Sequence, residues 1–285
     1  MIPGLPDPPI WRRARTAYVA LFFLFLLLPL AVVAVFAFND APYPLPPWRG
    51  FTLDWFIGHA ADRLGVLFNP DLHDALGNSV WVAVWVSALV MAVGTVNAVV
   101  LERAQFRGKA LLATVMLLPL VIPGVILGIS ILALASQIAN WADARFGLEL
   151  DWLRPGLPLV VAGQFSYIVS IATLTISARL RRFDITLEEA ALNLGATRLG
   201  VWRTITWPHL RPAVLGSGAV AFLLSFENFN TTLMLAGGDS PLTIWMYGQM
   251  RQGATPILNA ISLLLMTVTA AVVLLMYWRK PKEAV

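Results

Sequence analysis

The sequence predicts an all-α membrane protein with six transmembrane helices, and three observations predict it. Six apolar stretches each reach the roughly 20 residues that a bilayer requires. Hydrophobic residues make up 58% of the 285-residue chain and the mean hydropathy is +0.74, more than a soluble domain of this size needs. Charged residues gather at the ends of the apolar stretches rather than in one patch. The net charge of +4 is therefore not the footprint of a nucleic-acid binder, and membrane lipid is the expected surrounding. With no cysteine in the chain, disulfides, thiolate metal sites and cysteine nucleophiles are excluded.

The six stretches are Thr16–Phe38, Val80–Leu101, Ala110–Ser136, Leu157–Ala178, Val214–Ala236 and Ile257–Trp278. Five carry no Asp, Glu, Lys or Arg; the fifth carries Glu227. The first follows Arg12, Arg13 and Arg15 and is longer than the apolar core of a signal peptide, so it reads as an uncleaved span. Orientation follows from the basic residues. With the N-terminus inside, only Arg49, Arg63, Arg145, Arg154 and Arg251 of the 20 Lys and Arg residues lie outside. Both termini, including Arg279, Lys280 and Lys282, are thus expected in the cytoplasm, as is the loop from Asp184 to Pro208.

That loop, DITLEEAALNLGATRLGVWRTITWP, is the most informative stretch of the chain. Thr186 and Glu189 have the spacing of a capping box. Leu187, Ala191 and Leu194 fall at i, i+4 and i+7, leaving Glu188 and Asn193 on the opposite face. Gly195 supplies a left-handed stop, Thr197 a cap for a second helix, and Pro208 its end. Two short helices with a glycine corner are expected.

Glu189-Ala190-Ala191, three residues, Gly195, nine residues, Ile205 and then Pro208 resembles the EAA loop of the membrane subunits of binding-protein-dependent ABC importers. The chain departs from that pattern at Trp207, where the family usually has Leu. Trp48 to Thr52 with Trp55, Asn78-Ser79, Pro119–Leu127 and Ser225–Gly237 resemble the second permease of spermidine/putrescine-type importers; iron(III), thiamine and phosphonate permeases share several of these features. The resemblance implies a type I ABC importer (MetI-like) bundle with cytoplasmic coupling helices, a single permease domain over residues 1–285, in a bacterial inner membrane. It implies three partners: a cytoplasmic ATPase dimer, a second homologous permease and a periplasmic or external solute-binding protein. It also assigns ATPase coupling to Glu188, Glu189, Ala190, Ala191, Asn193, Leu194, Gly195 and Ala196.

Glu227 is the outstanding residue within a span, because an ionisable group facing lipid costs a few kcal/mol and such groups usually face a bundle interior or a wet cavity. Asn230 and Thr231 follow at i+3 and i+4, with Asn228 adjacent. A carboxylate among amides and a hydroxyl suits an ammonium group; a structural hydrogen bond to a neighbouring helix is the other reading. Tyr167 in the fourth span is a weaker pathway candidate, and an interhelical hydrogen bond accounts for it as well. Pro119, Pro123 and Gly124 interrupt the third span, and Gly216 and Gly218 loosen the fifth, either for a cavity or for close helix packing. Polyamine permeases carry an acid just after the second of these prolines, where this chain has Gly124. That departure admits a monocation, an amino-acid derivative or a neutral solute beside a polyamine.

Outside the spans, Trp48, Phe51, Trp55 and Phe56 suit a membrane–water interface or an external docking surface. The three histidines stand in separate loops without metal-ligand spacing. Gly108-Lys109 lacks the upstream glycine of a phosphate loop. No resident cofactor is expected in this chain; ATP and Mg belong to the partner ATPase. The expectation is a permease subunit passing a polyamine or related solute by alternating access, and the alternative is an ion-coupled secondary transporter using Glu227.

Overall fold

The computed structural model describes residues 8–44, 46–60, 63–253 and 256–278. Arg279, Lys280 and Lys282, counted above as cytoplasmic, lie outside them. The chain is mostly helical, and it divides into two compact units, residues 71–245 and residues 1–70 with 246–285. Five helices among the described residues are long and apolar enough to cross a membrane, and a sixth, α12, has 22 residues.

In the second unit, α1 (Pro9–Phe36) carries no buried residue, and its large apolar side chains are exposed along its length. Such a surface is stable in lipid and not in water. Beyond it, Asn39 organises the segment that follows. It is fully buried; its Oδ1 accepts from the Arg49 backbone N–H at 2.8 Å, and its carbonyl accepts from Trp55 Nε1 at 2.9 Å. Trp55 sits on α2 (Asp54–Ile57), followed by a hairpin of β1 (His59–Ala60) and β2 (Arg63–Leu64). Arg63 lies over the Trp55 ring and bonds Asp40 at 2.6 Å. Of the aromatics expected at an interface, Trp55 is buried in this knot, while Trp48 and Phe51 are exposed. The helix α12 (Ile257–Trp278) packs on α1.

The first unit holds the bundle. It comprises most of α3 (Pro70–Arg103), α4 (Lys109–Val121), α5 (Gly124–Phe146), α6 (Leu157–Arg181), α7 (Thr186–Asn193), α8 (Arg198–Val201), α9 (Trp207–Phe226) and α10 (Thr232–Leu235). The start of α11 (Leu242–Gln252) belongs to it as well. Buried positions on α3 recur at helical spacing: Val82, Val86 and Val90 meet Ile168 and Ala172 of α6 and Ala221 of α9 in one apolar core. A second cluster, Ala98, Ile176, Leu180, Leu210 and Val214, continues it toward the charged ends of α3 and α6.

The interruption expected at Pro123 is present, and two other boundaries differ from the sequence reading. The third span is two helices: α4 stops at Val121, Ile122 turns extended and Pro123 precedes α5. Pro208 does not end the second short helix. Residues Trp202–Thr206 form a π turn between α8 and α9, in which Trp207 N–H reaches back five residues to Trp202. That widened turn accommodates the proline ring, so Arg198–Phe226 runs as one helix. The fifth span then ends at Phe226, ahead of the expected Ala236, and Glu227 is its C-terminal cap residue. Gly216 and Gly218 do not loosen α9; a Cβ on Gly218 would collide with the Met91 side chain, so its role is close packing.

Asn39→Ala should remove the acceptor for the Arg49 N–H and cost roughly 2 kcal/mol locally. Proteolysis of the segment before α3 in sealed vesicles should accelerate accordingly; an unchanged cleavage rate would show that Asn39 does not hold it.

Candidate functional site

Two places in the first unit concentrate polar chemistry. One is the loop between α6 and α9. The Asp184 carboxylate, and not the expected capping box, starts α7: Oδ1 accepts from the Thr186 N–H at 3.0 Å and from the Thr186 hydroxyl at 2.7 Å. These bonds hold the Asp184 carboxyl below its ordinary value. Glu189 is exposed and does not reach back. The corner itself follows expectation. Ala196 N–H bonds Ala191 O and Gly195 N–H bonds Leu192 O, both at 3.0 Å, with Gly195 at φ +87°. Thr197 Oγ1 accepts from the Gly200 N–H at 3.1 Å and caps α8.

The faces of α7 are the reverse of those read from the sequence. Glu188 is the buried residue, while Leu187, Leu192 and Leu194 are exposed, Leu194 by 89%. The reason is a partner that local periodicity does not reveal. Arg103, at the end of α3, grips both carboxylate oxygens of Glu188, one at 2.8 Å, and the Thr206 hydroxyl from the π turn donates to the same carboxylate. Burial pushes the Glu188 carboxyl up; the hydrogen bonds from Arg103 and Thr206 and the guanidinium charge outweigh it, and the value falls below 4.5. One carboxylate thus fastens α3, α7 and the helix leading into α9. Alongside, Glu102 and Arg181 tie the ends of α3 and α6 at 2.9 Å. Glu188, Glu189, Ala190, Ala191, Asn193, Leu194, Gly195 and Ala196 all lie in this loop, Glu188 alone of them buried.

The other place is where the bundle's two helix breaks meet. The break at Ile122-Pro123 faces the turn between α9 and α10: Thr231 Oγ1 lies 3.4 Å from the Gly124 carbonyl, and a Cβ on Gly124 would stand 3.1 Å from Asn230 Cβ. No acidic side chain fits at Gly124 without displacing Asn230. Because the helix ends at Phe226, Glu227, Asn230 and Thr231 do not share a helical face. Thr231 is buried, whereas Glu227 and Asn230 are exposed in this chain. Glu227 makes no hydrogen bond or ion pair among the described residues, yet it lies within electrostatic reach of Tyr167.

The structural role considered for Glu227 belongs to its neighbour. Asn228 Nδ2 donates to the Tyr167 hydroxyl at 2.6 Å, and its Oδ1 accepts from the Thr232 N–H at 3.2 Å and the Thr232 hydroxyl at 2.9 Å. Gln164, 1% exposed, donates to Thr232 Oγ1 at 2.9 Å and accepts from the Ser225 hydroxyl. Thr243 on α11 bonds the Asn228 carbonyl at 2.9 Å. Sequence reading placed Tyr167 and Asn228 but missed Gln164, Ser225, Thr232, Arg103 and Thr206. A lone Gln in an apolar span is the one signal that could have found Gln164.

A bundle of apolar helices with two facing interruptions and a rigid polar loop at one end is the build of a membrane transport protein. The chain belongs to the binding-protein-dependent transport system inner membrane component family, whose profile matches residues 94–283. It is 30% identical over 265 residues to the putrescine transport system permease protein PotI of Escherichia coli K12, covering 91% of this chain and 88% of that one. It is 27% identical over 263 residues to the spermidine/putrescine transport system permease protein PotC of Haemophilus influenzae, covering 92% and 94%. Among solved structures, a bacterial ABC transporter involved in import of the acidic polysaccharide alginate shares the fold, with TM-score 0.69, 17% identity and 94% of this chain covered. The chain is accordingly an inner-membrane permease component of the ABC importer type.

Arg103→Ala should leave the Glu188 carboxylate without its cation and destabilise the loop by about 3 kcal/mol. Since the folded Glu188 pKa is depressed, its contribution is complete above 4.5 and is lost as pH falls through the lower folded value. A thermal-unfolding series from about pH 6 to about pH 3 should show this slope in the wild type and a smaller one in Glu188→Gln. Equal slopes would remove the clamp from the account.

Proposed function

We propose that this permease is the membrane subunit of an ATP-driven importer for a small organic cation of the polyamine class, both termini lying in the cytoplasm. A cytoplasmic ATPase dimer, a second permease and an external solute-binding protein complete the assembly; ATP and Mg are held by the ATPase. The observation that carries the reading is the loop around Gly195. Leu187, Leu192, Leu194 and Leu199 present apolar side chains outward from a polar segment that hydrogen bonds and a buried ion pair hold rigid. A rigid element that exposes leucines to an aqueous phase is a docking surface. Glu188 sets its position, Gly195 its corner, and Glu189, Ala190, Ala191, Asn193, Leu194 and Ala196 lie along it toward the ATPase.

The solute class rests on Glu227 and on what the polyamine permeases among the relatives are named for. Glu227 carries a carboxyl group without a hydrogen bond or ion pair among the described residues, next to Asn228 in sequence and within electrostatic reach of Tyr167, near the junction of two breaks. Non-helical backbone at that depth is tolerated where it is buried in protein or lines a wet cavity. An ammonium group supplies the missing cation. Gly124 leaves one carboxylate here, which favours a short diamine over a longer polyamine. An ion-coupled transporter would use the same carboxylate, but it gives no reason for the leucines of α7 to be exposed.

Two measurements test the two halves. A Cβ at Gly195 would meet nothing within 4 Å in this chain, and Asp enters the left-handed region at a cost of roughly 1 kcal/mol. Gly195→Asp should therefore preserve insertion and abolish uptake, because the added carboxylate occupies the space of the docked partner. Normal uptake by this variant would sink the coupling assignment. In cells expressing the complete transporter, labelled putrescine uptake should require ATP and fall at least tenfold in Glu227→Gln, about 1.4 kcal/mol of lost charge pairing. Uptake unchanged by that substitution would remove Glu227 from the pathway.

A further inference from the structure

A groove of about 520 Å³ lies among the end of α3, α4 and α6, with the Glu102–Arg181 pair on its wall. Its lining changes in a fixed order along both long walls. On α6, Arg181 stands at the mouth, Ser177 one turn deeper, then Leu174, Thr173 and Ser170. On α4, Lys109 stands at the mouth, followed by Ala110, Ala113, Met116 and Leu117. Charge gives way to side chains that are apolar or, at Thr173 and Ser170, have their hydroxyls turned to backbone carbonyls, the polarity profile of an amphiphile entered tail first.

Each polar group on this path has a definite state. Glu102 at the mouth is bonded to Arg181, and Lys109 Nζ donates to the Ala104 carbonyl at 3.2 Å. The mouth is left with one net positive charge. Ser170 deeper in donates to the Met116 carbonyl, and Thr173 to Val169 at 2.8 Å. Ser177 is different: 96% of it is buried, and its hydroxyl has no partner, the one such buried side-chain atom among the described residues. A buried orphan hydroxyl costs about 1–3 kcal/mol unless something in the groove accepts its proton.

We propose that this groove is a binding site for an anionic phospholipid of the cytoplasmic leaflet. The phosphate sits at Lys109 and the outer edge of Arg181, where the N-terminal end of α4 adds its own positive field. A glycerol ester carbonyl accepts from Ser177 once that side chain turns toward the groove, and an acyl chain lies between Ala113, Met116, Leu117 and Leu174. The occupant holds the cytoplasmic ends of α4 and α6 apart beside the Glu102–Arg181 pair. The inference rests on the cytoplasmic placement of the α6–α7 turn argued under the proposed function.

The test uses the complete transporter, purified in detergent after exposure to equal amounts of phosphatidylglycerol and phosphatidylcholine, with retained lipid measured by native mass spectrometry. The wild type should retain phosphatidylglycerol selectively, and excess inorganic phosphate should not displace it. Lys109→Ala should lower that retention about fivefold, the effect of one basic residue near an anionic headgroup. Ala113→Phe, which fills the groove without changing charge, should lower retention of both lipids in a complex that still assembles. Because this chain has no cysteine, a photo-crosslinker on Ala113→Cys reports the groove's occupant uniquely within it. Retention without preference for phosphatidylglycerol, or a crosslink to another protein chain, would overturn the proposal. Putrescine uptake is read separately, so loss of lipid selectivity with uptake intact fails this inference alone.

Discussion

Backbone polar groups that the chain carries into the hydrocarbon region must find their partners within the protein, and the bundle is arranged around that constraint. Two helices break inside the apolar spans, and each break alone would strand carbonyls and N–H groups in lipid. The protein brings them together. Thr231 reaches the Gly124 carbonyl, Asn228 uses both ends of its amide, and Gln164 joins Ser225 to Thr232 from the neighbouring helix. Tyr167 closes the network from α6. The effect is to fix irregular backbone where a continuous helix would offer only side chains. Glu227 stands at the end of α9, next to Asn228 in sequence, and takes no part in the network.

The same logic operates at the polar end of the bundle with stronger partners. Glu188 is a buried carboxylate, and burial alone would favour its neutral form; the bidentate guanidinium and the Thr206 hydroxyl reverse that preference. Its value to the fold is positional, because Arg103, Glu188 and Thr206 come from three segments that share no local periodicity. With the carboxylate turned inward, the leucines of α7 have nowhere to go but outward. An internal ion pair therefore determines the chemistry of an external surface. The exposed apolar face of the loop is a consequence of where its one buried charge points.

How much of this was legible in the sequence follows from the range of each interaction. Apolar runs of spanning length, the glycine corner at Gly195 and the Thr197 cap are local and were readable from residue type and spacing. The break at Pro123 was readable for the same reason. The end of α9 was not, because Glu227, Asn230 and Thr231 have the spacing of one face of a continuing helix, whereas the helix stops for a network assembled from α5, α6 and α11. Pro208 misled in the opposite sense. A proline ordinarily ends a helix, but here the π turn before it removes the clash, and the sequence WRTIT carries no mark of that turn. Arg103 was counted as one positive charge among many; its role depends on Glu188, 85 positions away.

The continuity of Arg198–Phe226 joins the two sites. Its 29 residues span about 43 Å at helical rise, from the residue that Thr197 caps to the residue before Glu227. A helix of this length transmits displacement at one end to the other unless something along it yields. One element able to yield is the π turn at Trp202–Thr206, where i→i−5 bonding loosens the ladder; Pro212 is another. Thr206, within that turn, is held by the Glu188 carboxylate. Under the proposed coupling, movement of α7 acts on the helix at its softest point through its firmest contact, and the far end is Glu227. On that proposal the clamp at the π turn lets a shift of the loop reach the end of the helix where Glu227 stands.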